Sequence, residues 1–226
     1  MSNLRASRPL SASQAISQRH SIHSFVPDRP VPRETLEKVF RVAQNSASNF
    51  NIQPWEVKVI TGEKLLKVQD KLVKTFQSGR PMELPETPAK FQDRVEKAGS
   101  VLHGDGFGIA REDKTGRSEV LKLNFRSYGA PYMALFCIDK GLATADIASV
   151  GIYLENVILL LWEQGLGSIP QGTMAGYPDV FKEEIGLSED LQIICGLAIG
   201  YPDEDAKVVT MRMPKRRWEE HVTFWE

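Results

Sequence analysis

The pattern of apolar and polar residues predicts a protein that mixes helices and strands. Residues 32–43 place apolar side chains at the i, i+3, i+4 and i+7 spacing of an amphipathic helix that begins at a proline. The same spacing recurs over residues 63–76. Between these two segments, residues 55–61 alternate apolar and charged side chains, which is typical of a strand.

Two continuous apolar runs, at residues 131–138 and 191–199, are bounded by glycine, proline and charged residues. They predict strands covered on both faces, as in a sheet between layers of helices. Helices and strands in this order predict one α+β domain over residues 1–226. Within it, we expect a flexible N-terminal arm at 1–12 and a basic C-terminal tail at 207–226.

Residues 146–164 predict a long helix that is apolar on nearly all sides and ends at Gly165. Glu155 and Asn156 interrupt its apolar run, which is shorter than the roughly 20 residues of a membrane span. We therefore predict a buried helix and no membrane partner. Because a chain of this size gives such a helix little cover, we also predict that it forms the interface of a homodimer.

The regular pattern weakens over residues 78–127, where prolines, a glycine-rich stretch and a charged stretch follow one another and only 89–102 has helical spacing. A long irregular segment inside a compact domain is often a lid over a binding site. A surface insertion fits the same pattern. Phe107, in the glycine-rich stretch, is a candidate aromatic wall for a substrate, or else a core side chain.

Composition and charge exclude several classes of protein. The 226 residues include 28 Lys+Arg and 29 Asp+Glu, so no basic surface for nucleic acid is predicted. Cys137 and Cys195 lie in apolar runs, which predicts buried thiols rather than a disulfide, and the four histidines lack the spacing of metal ligands. No apolar signal segment follows the N-terminus, so we expect a cytoplasmic protein.

Four polar clusters, at residues 19–25, 46–55, 165–172 and 212–217, are candidates for binding chemistry. The first offers guanidinium, imidazole and hydroxyl groups to a phosphate, and the last adds further cations. The second offers amides to the edge of a heterocycle, and the third has glycines that let backbone approach a flat ligand. Alternatively, the first is a polar helix exit, the second a helix cap and the last a solvated tail. Common catalytic signatures are absent from the sequence, so a cofactor is expected to carry the electronic step.

Seven short motifs follow one another along the chain: Arg19-x-Ser21-x-x-x-Phe25, Val31-Pro32, Asn51-x-Gln53-Pro54-Trp55, Tyr128-Gly129-Ala130-Pro131, the helix at Asp146, Gly165-Leu166-Gly167 to Pro170-Gln171-Gly172, and Gly200-Tyr201-Pro202. In this order they resemble the FMN-dependent nitroreductase family, over about residues 13–225. Asn124-Phe125 before Gly129 is most similar to the branch that reduces nitrobenzene and nitrobenzoate compounds.

The resemblance implies a nitroreductase-like sandwich, with a central, mostly antiparallel sheet flanked by helices. It also implies an intertwined homodimer with one FMN per protomer. The implied FMN ligands are Arg19, His20, Ser21, Arg212 and Lys215 at the ribityl-phosphate, Ser48, Asn49 and Asn51 from the other subunit at the ring edge, and Pro170, Gln171 and Gly172 near the reactive N5.

His23 departs from the family pattern, since members commonly carry Arg or Lys there, near the N1–C2=O edge of the flavin. Because histidine titrates near neutral pH, we expect flavin reduction to depend on pH more than it does with Arg. Comparing wild type with His23→Arg tests this expectation.

The implied reaction is a ping-pong exchange. NADH or NADPH gives hydride to the flavin, and a small nitroaromatic substrate then takes two electrons, yielding nitroso and hydroxylamino products. No titrating catalytic side chain is implied, because the flavin N5 carries the hydride. The alternatives are a reductive dehalogenase or an ene-reductase on the same scaffold, or a flavin-binding protein without catalysis.

Overall fold

The structure of the chain, a computed structural model, describes residues 10–226. This part of the chain contains seven α-helices: α1 (Ala12–Gln18), α2 (Arg33–Ala43), α3 (Gly62–Gln77), α4 (Gln92–Ser100), α5 (Lys114–Phe125), α6 (Thr144–Glu163) and α7 (Pro178–Ile185). The predicted arm at 1–12 lies mostly outside the described residues. Among the described residues, the Ser11 side chain accepts from the Gln14 N–H and caps α1, and the arm itself stays a prediction.

The described strands form one sheet: β1 (Glu56–Thr61), β2 (Tyr132–Asp139), β3 (Gly167–Gln171) and β4 (Leu191–Gly200). Their order across the sheet is β1-β2-β4-β3, and each neighbouring pair is antiparallel. The predicted α+β class with an antiparallel sheet is therefore confirmed.

Strand β2 explains why its apolar run does not alternate with polar residues. Phe136 packs into a core that includes α2 and α6, whereas its neighbour Leu135 packs into a second core with α3 and α7. Both side chains are 0% exposed. A strand with helices on both faces is apolar throughout, as the sequence predicted.

Helix α6 is apolar enough, and at 20 residues long enough, to cross a membrane by length and composition alone. The long helix predicted at 146–164 is confirmed with slightly different bounds, because it begins at Thr144 and ends at Glu163. Tyr153, Val157 and Leu161 pack into the core. Only 39% of its most apolar window is buried, so α6 is covered on one side rather than all round.

The sequence did not predict two local features. Within residues 165–172, Gly167–Gln171 pair with β4 as the edge strand β3. Proline is tolerated there because an edge strand has one side without ladder hydrogen bonds. Residues 78–127 are mostly helical, since they contain α4, a π-helical turn at Val101–Gly106 and α5.

Candidate functional site

The first polar cluster is extended and meets the outer edge of β3 near the start of that strand, at Ser168. Ser21 forms a parallel bridge with Ser168, and the Ile22 N–H donates to the Ser168 carbonyl at 3.1 Å. Phe25 forms a second bridge with Pro202. The structure therefore brings the first cluster together with the third, and the ligand that the two would share stays a prediction.

Side chains of the first cluster reach both α6 and the C-terminal segment. The Arg19 Nε lies 3.4 Å from Glu155, and the His20 Nε2 lies 2.7 Å from the Val209 carbonyl. Three residues beyond Val209, the exposed Arg212 donates to the carbonyls of its own neighbours. Lys215 is also exposed. The segment that leads to the predicted phosphate ligands thus lies beside His20.

The second cluster is fixed to the N-terminal end of α6. The Asn49 N–H donates to Ser149 Oγ and the Asn49 Nδ2 to Asp146 Oδ1, both at 3.1 Å. Phe50 and Asn51 have positive φ angles of 47° and 57°, a strained conformation that loops at functional sites often contain. Glu155, the partner of Arg19, lies nine residues after Asp146. The helical rise places it about 13 Å further along α6 than Asp146. Within one protomer, the second cluster therefore does not join the first.

The third cluster ends in a hydrogen-bonded network that sequence reasoning missed. The Gln171 Nε2 donates to the main-chain carbonyl of Asn124 at 2.7 Å and to its Oδ1 at 3.2 Å. The Thr173 hydroxyl donates to the same Oδ1, and the Asn124 Nδ2 donates to the Tyr128 hydroxyl at 3.2 Å. Pro170 and Gly172 lie beside this network and are exposed. The sequence offered one signal for this network, which was Asn124 at the end of α5, quoted above only as a mark of the family branch.

Two predicted residues meet at a cavity of about 290 Å³, which is lined by His23, Phe107, Tyr128 and Lys207 among others. Tyr128 lies between the other two rings, 5.1 Å from the His23 centroid and 6.4 Å from that of Phe107. The predicted lid reaches this cavity through the π-helical turn. At its end, a Cβ on Gly106 would lie only 2.9 Å from Met211 Sδ, so this turn packs closely on the C-terminal segment.

His23 is 7% exposed, and its Nδ1 has no hydrogen-bond partner among the described residues. Burial lowers the pKa of His23 to about 4. The nearby Ser21 main chain favours the protonated ring and opposes this shift, and the charge of His20 lowers the pKa slightly further. The expectation that this imidazole titrates near neutral pH is therefore wrong for the folded chain. In the folded chain, the His23 ring is therefore neutral at pH 7.

The buried His23 makes stability depend on pH. Its pKa is about 4 in the folded chain and 6.5 in the unfolded chain, so the unfolded chain binds more protons between these values. We expect His23 to reduce the free energy of unfolding by about 2–3 kcal/mol between pH 7 and pH 4. Urea unfolding of the wild type and His23→Gln measures this, and the variant is expected to show the shallower decline. His221→Gln, at an exposed histidine, is the control with an unchanged slope.

Both cysteines are buried thiols, as predicted, and neither is in a disulfide. Burial raises the pKa of Cys137 to about 12 and that of Cys195 to about 11, so neither is a ready nucleophile. Among residues 10–226, no three His, Cys, Asp or Glu side chains are placed to hold a metal ion.

The sequence is similar to known proteins over most of its length. The sequence model of the Nitroreductase family matches residues 16–201. A 4-nitrobenzoate reductase of Pseudomonas putida is 32% identical over 204 residues, which cover 88% of this chain and 89% of the relative. A chloronitrobenzene nitroreductase of Comamonas testosteroni is 30% identical and is matched over 92% and 94% of the two chains.

Among solved structures, the FMN and NADPH-dependent nitroreductase NfnB of Sphigopyxis sp. strain HMH superimposes with a TM-score of 0.91. It is 35% identical, and the match covers 96% of this chain and 100% of the other. The family predicted from the seven motifs is thus confirmed, and the relatives carry names from the predicted branch. The chain belongs to the nitroreductase family.

Proposed function

We propose that this protein is an FMN-dependent oxidoreductase that takes hydride from NADH or NADPH and reduces nitroaromatic compounds to nitroso and hydroxylamino products in a ping-pong reaction. One observation carries the proposal. The donor-rich segment 19–25 meets the edge strand β3 at Ser168, and Gln171 and Gly172 lie at the other end of the same strand. Similarity to relatives named for nitrobenzoate and chloronitrobenzene reduction supports the substrate class.

The residues at this edge fit the two ends of FMN. Arg19 offers a guanidinium to a phosphate, Ser21 adds a hydroxyl, and both side chains are partly exposed. At the other end, His23 Nδ1 and Gln171 Oε1 are buried polar atoms without partners among the described residues. Such atoms are expected where a ligand supplies the missing hydrogen bond. We propose that Arg212 and Lys215 join Arg19 at the phosphate.

Bound FMN would supply the two-electron chemistry by accepting hydride from NAD(P)H and passing it to the nitro compound. The protein then has three tasks: to hold the cofactor, to direct backbone N–H groups of the Gln171–Gly172 turn at the ring, and to bind flat substrates. Phe107 and the rest of the 78–127 lid are proposed for the third task. Location in the cytoplasm stays a prediction.

We propose an intertwined homodimer because one protomer leaves apolar surface and part of the site uncovered. On α6, Ile147 and Ile152 are 37% and 45% exposed. Close by, the loop formed by Ser48, Asn49 and Asn51 is bonded to the N-terminal end of α6, whereas Arg19 of the first cluster lies beside Glu155. In the dimer, this loop would reach the ring edge of the partner's FMN.

The C-terminal tail offers a second reason for an intertwined dimer. Trp225 is 93% exposed and Phe224 is 74% exposed. β1 is an edge strand beside an open groove of about 740 Å³. An apolar tail from a second copy would cover such an edge, which is a common way for sheets to bind a peptide.

Arg19→Met is expected to weaken FMN binding by about 50-fold, because a charge-assisted contact to a phosphate contributes about 2–3 kcal/mol. Fluorescence titration of the apoprotein with FMN measures the dissociation constant. Arg33→Met removes an arginine that is 89% exposed and bound only to Glu37, and its FMN affinity should match the wild type. Equal losses in both variants would contradict a specific phosphate contact.

The proposed activity is tested by an absorption spectrum of the purified protein, followed by anaerobic NAD(P)H reduction and reoxidation with a nitroarene, a halophenol or an enone. We expect a flavin spectrum and reoxidation by the nitroarene. Faster turnover of the halophenol or the enone would instead favour a dehalogenase or an ene-reductase. A protein that neither carries nor takes up FMN would contradict the proposal.

A further inference from the structure

An arginine near the start of the proposed lid is bound through both its side chain and its main chain. The Arg80 Nη1 and Nη2 donate to Asp179 Oδ2 and Oδ1 at 2.7 and 2.6 Å, as a guanidinium does when it binds a carboxylate with two bonds. These bonds lower the pKa of Asp179, so its carboxylate is charged at neutral pH. The guanidinium also lies 4.8 Å from the centroid of the Tyr177 ring. In turn, the Tyr177 hydroxyl donates to the Arg80 carbonyl at 2.8 Å.

Two further contacts extend this attachment, which we call the Arg80 latch. The Glu83 N–H donates to the Gly176 carbonyl at 2.9 Å. Met82 packs on the same glycine so closely that a Cβ on Gly176 would lie 2.9 Å from Met82 Cβ. The latch therefore joins the start of the lid to the start of α7. Its members are Arg80, Met82 and Glu83 on the lid side and Gly176, Tyr177 and Asp179 on the other.

The chain that follows the latch makes few buried contacts. No residue between 83 and 100 is buried, although this stretch includes α4. Residues 81–88 form neither helix nor strand, and prolines at 81, 85 and 88 stiffen them because each fixes one backbone angle. A segment with few buried apolar contacts opens at a low cost in free energy. The position of α4 therefore depends on its two ends, which are the latch and the π-helical turn.

The second of these ends reaches the cavity described above. Gly106 ends the π-helical turn, Phe107 follows it, and both line the cavity together with Tyr128. Because α4 runs directly into this turn, loosening α4 is expected to loosen the Phe107 ring as well. Without the latch, α4 would be attached at the turn alone.

We propose that Arg80 is a positioning residue for the substrate, since it holds the lid through the latch and thereby keeps Phe107 in place at the cavity where the nitroaromatic ring would bind. This inference rests on the proposed function, because it takes the lid to be the substrate-binding part of the site. Arg80 itself touches neither substrate nor cofactor and acts through α4. Loss of the latch should therefore weaken substrate binding and leave FMN binding unchanged.

Arg80→Leu removes both bonds to Asp179 and the contact with the Tyr177 ring, but keeps the main-chain bonds of the latch. We expect the KM for a nitroarene to rise about fivefold, the scale of one partly exposed ion pair with good geometry. The kcat and the FMN dissociation constant should change by less than about twofold. Asp179→Asn is a milder change that should raise KM in the same direction, and it gives the comparison if the leucine variant does not fold. The double variant should resemble Arg80→Leu, since both residues act through one contact.

A second measurement, trypsin treatment of the purified proteins, needs no substrate. Arg94 and Lys97 are exposed residues of α4, where trypsin cuts once the helix opens. We expect cleavage in α4 to be at least about fivefold faster in Arg80→Leu and in Asp179→Asn than in the wild type, because its rate follows the fraction of the segment that is open. Arg80 precedes Pro81, a bond that trypsin does not cut, so the leucine variant loses no cleavage site.

Lys71→Leu is the matched control, because it also removes an ion pair from α7. Lys71 lies on α3 and binds Glu183 and Glu184, neither of which belongs to the latch. Its side chain is 36% exposed, against 38% for Arg80. The KM, the FMN affinity and the rate of cleavage in α4 should all match the wild type.

Two results would overturn the role of Arg80 while leaving the proposed function in place. One is an Arg80→Leu protein with lower thermal stability but a wild-type KM, since a merely structural residue would behave in this way. The other is an equal loss of FMN affinity and substrate affinity, which would mean that the latch supports the cofactor site rather than the lid. A wild type that takes up no FMN would overturn the proposed function itself, and the cleavage rates would then still decide whether Arg80 holds α4.

Discussion

Replacing Gly167 by valine is expected to lower the free energy of unfolding by about 3 kcal/mol or more and to weaken FMN binding by about 100-fold. A Cβ at this position would lie 2.7 Å from Ile22 Cγ1 and 3.0 Å from Pro202 Cγ. Ile22 is 0% exposed and cannot turn into free space. The added side chain must therefore push the 19–25 segment away from β3, and with it Arg19.

Urea unfolding of the apoprotein and FMN titration measure the two effects. Gly104→Val is the matched control, because a Cβ there meets nothing within 4 Å and the residue does not have a positive φ. Its stability should change by less than about 1 kcal/mol, the scale of a local helix preference. If Gly167→Val bound FMN as tightly as wild type, the packing of segment 19–25 on β3 would not determine cofactor binding.

The sequence alone predicted the helices and strands that have a long hydrophobic pattern. Helices α2 and α3 and strand β4 lie within about two residues of their predicted bounds, because an extended periodic or continuous apolar pattern leaves few alternatives. Strand β3 was missed because its five residues include a glycine and a proline, which disfavour a strand. Its conformation comes from pairing with β4, which is a tertiary contact.

Other omissions had signals in the sequence. Helix α7 begins with Pro178 and ends at Gly186, which has a left-handed φ of 66°, so both ends carry standard helix signals. The link between Asn124 and Gln171 had a weaker signal, because the sequence marks Asn124 but not the residue that it contacts. The two residues lie 47 positions apart, and the structure brings α5 against the turn after β3. A polar cluster in the sequence identifies segments with many hydrogen-bond donors. It does not identify the distant residues that hold those side chains in position.

Changing Ile152 to aspartate is expected to dissociate the proposed homodimer and, with it, to remove FMN. Ile152 is 45% exposed in the protomer and lies on the uncovered side of α6. If α6 forms a two-fold interface, each dimer buries two new carboxylates, and an unpaired buried charge costs several kcal/mol. The dimer dissociation constant should therefore rise at least about 1000-fold, or ~4 kcal/mol. Sedimentation equilibrium at micromolar protein measures this change.

Loss of FMN should accompany dissociation because the loop with Ser48, Asn49 and Asn51 is fixed to the end of its own α6 and would reach only the partner's cofactor. Leu66→Asp makes the same apolar-to-acidic change on α3, where the side chain is 62% exposed, and should leave both the dimer and its FMN content intact. A wild type that sediments as a monomer would contradict the dimer. An Ile152→Asp protein that stays dimeric with full FMN would instead place the interface on another surface than α6.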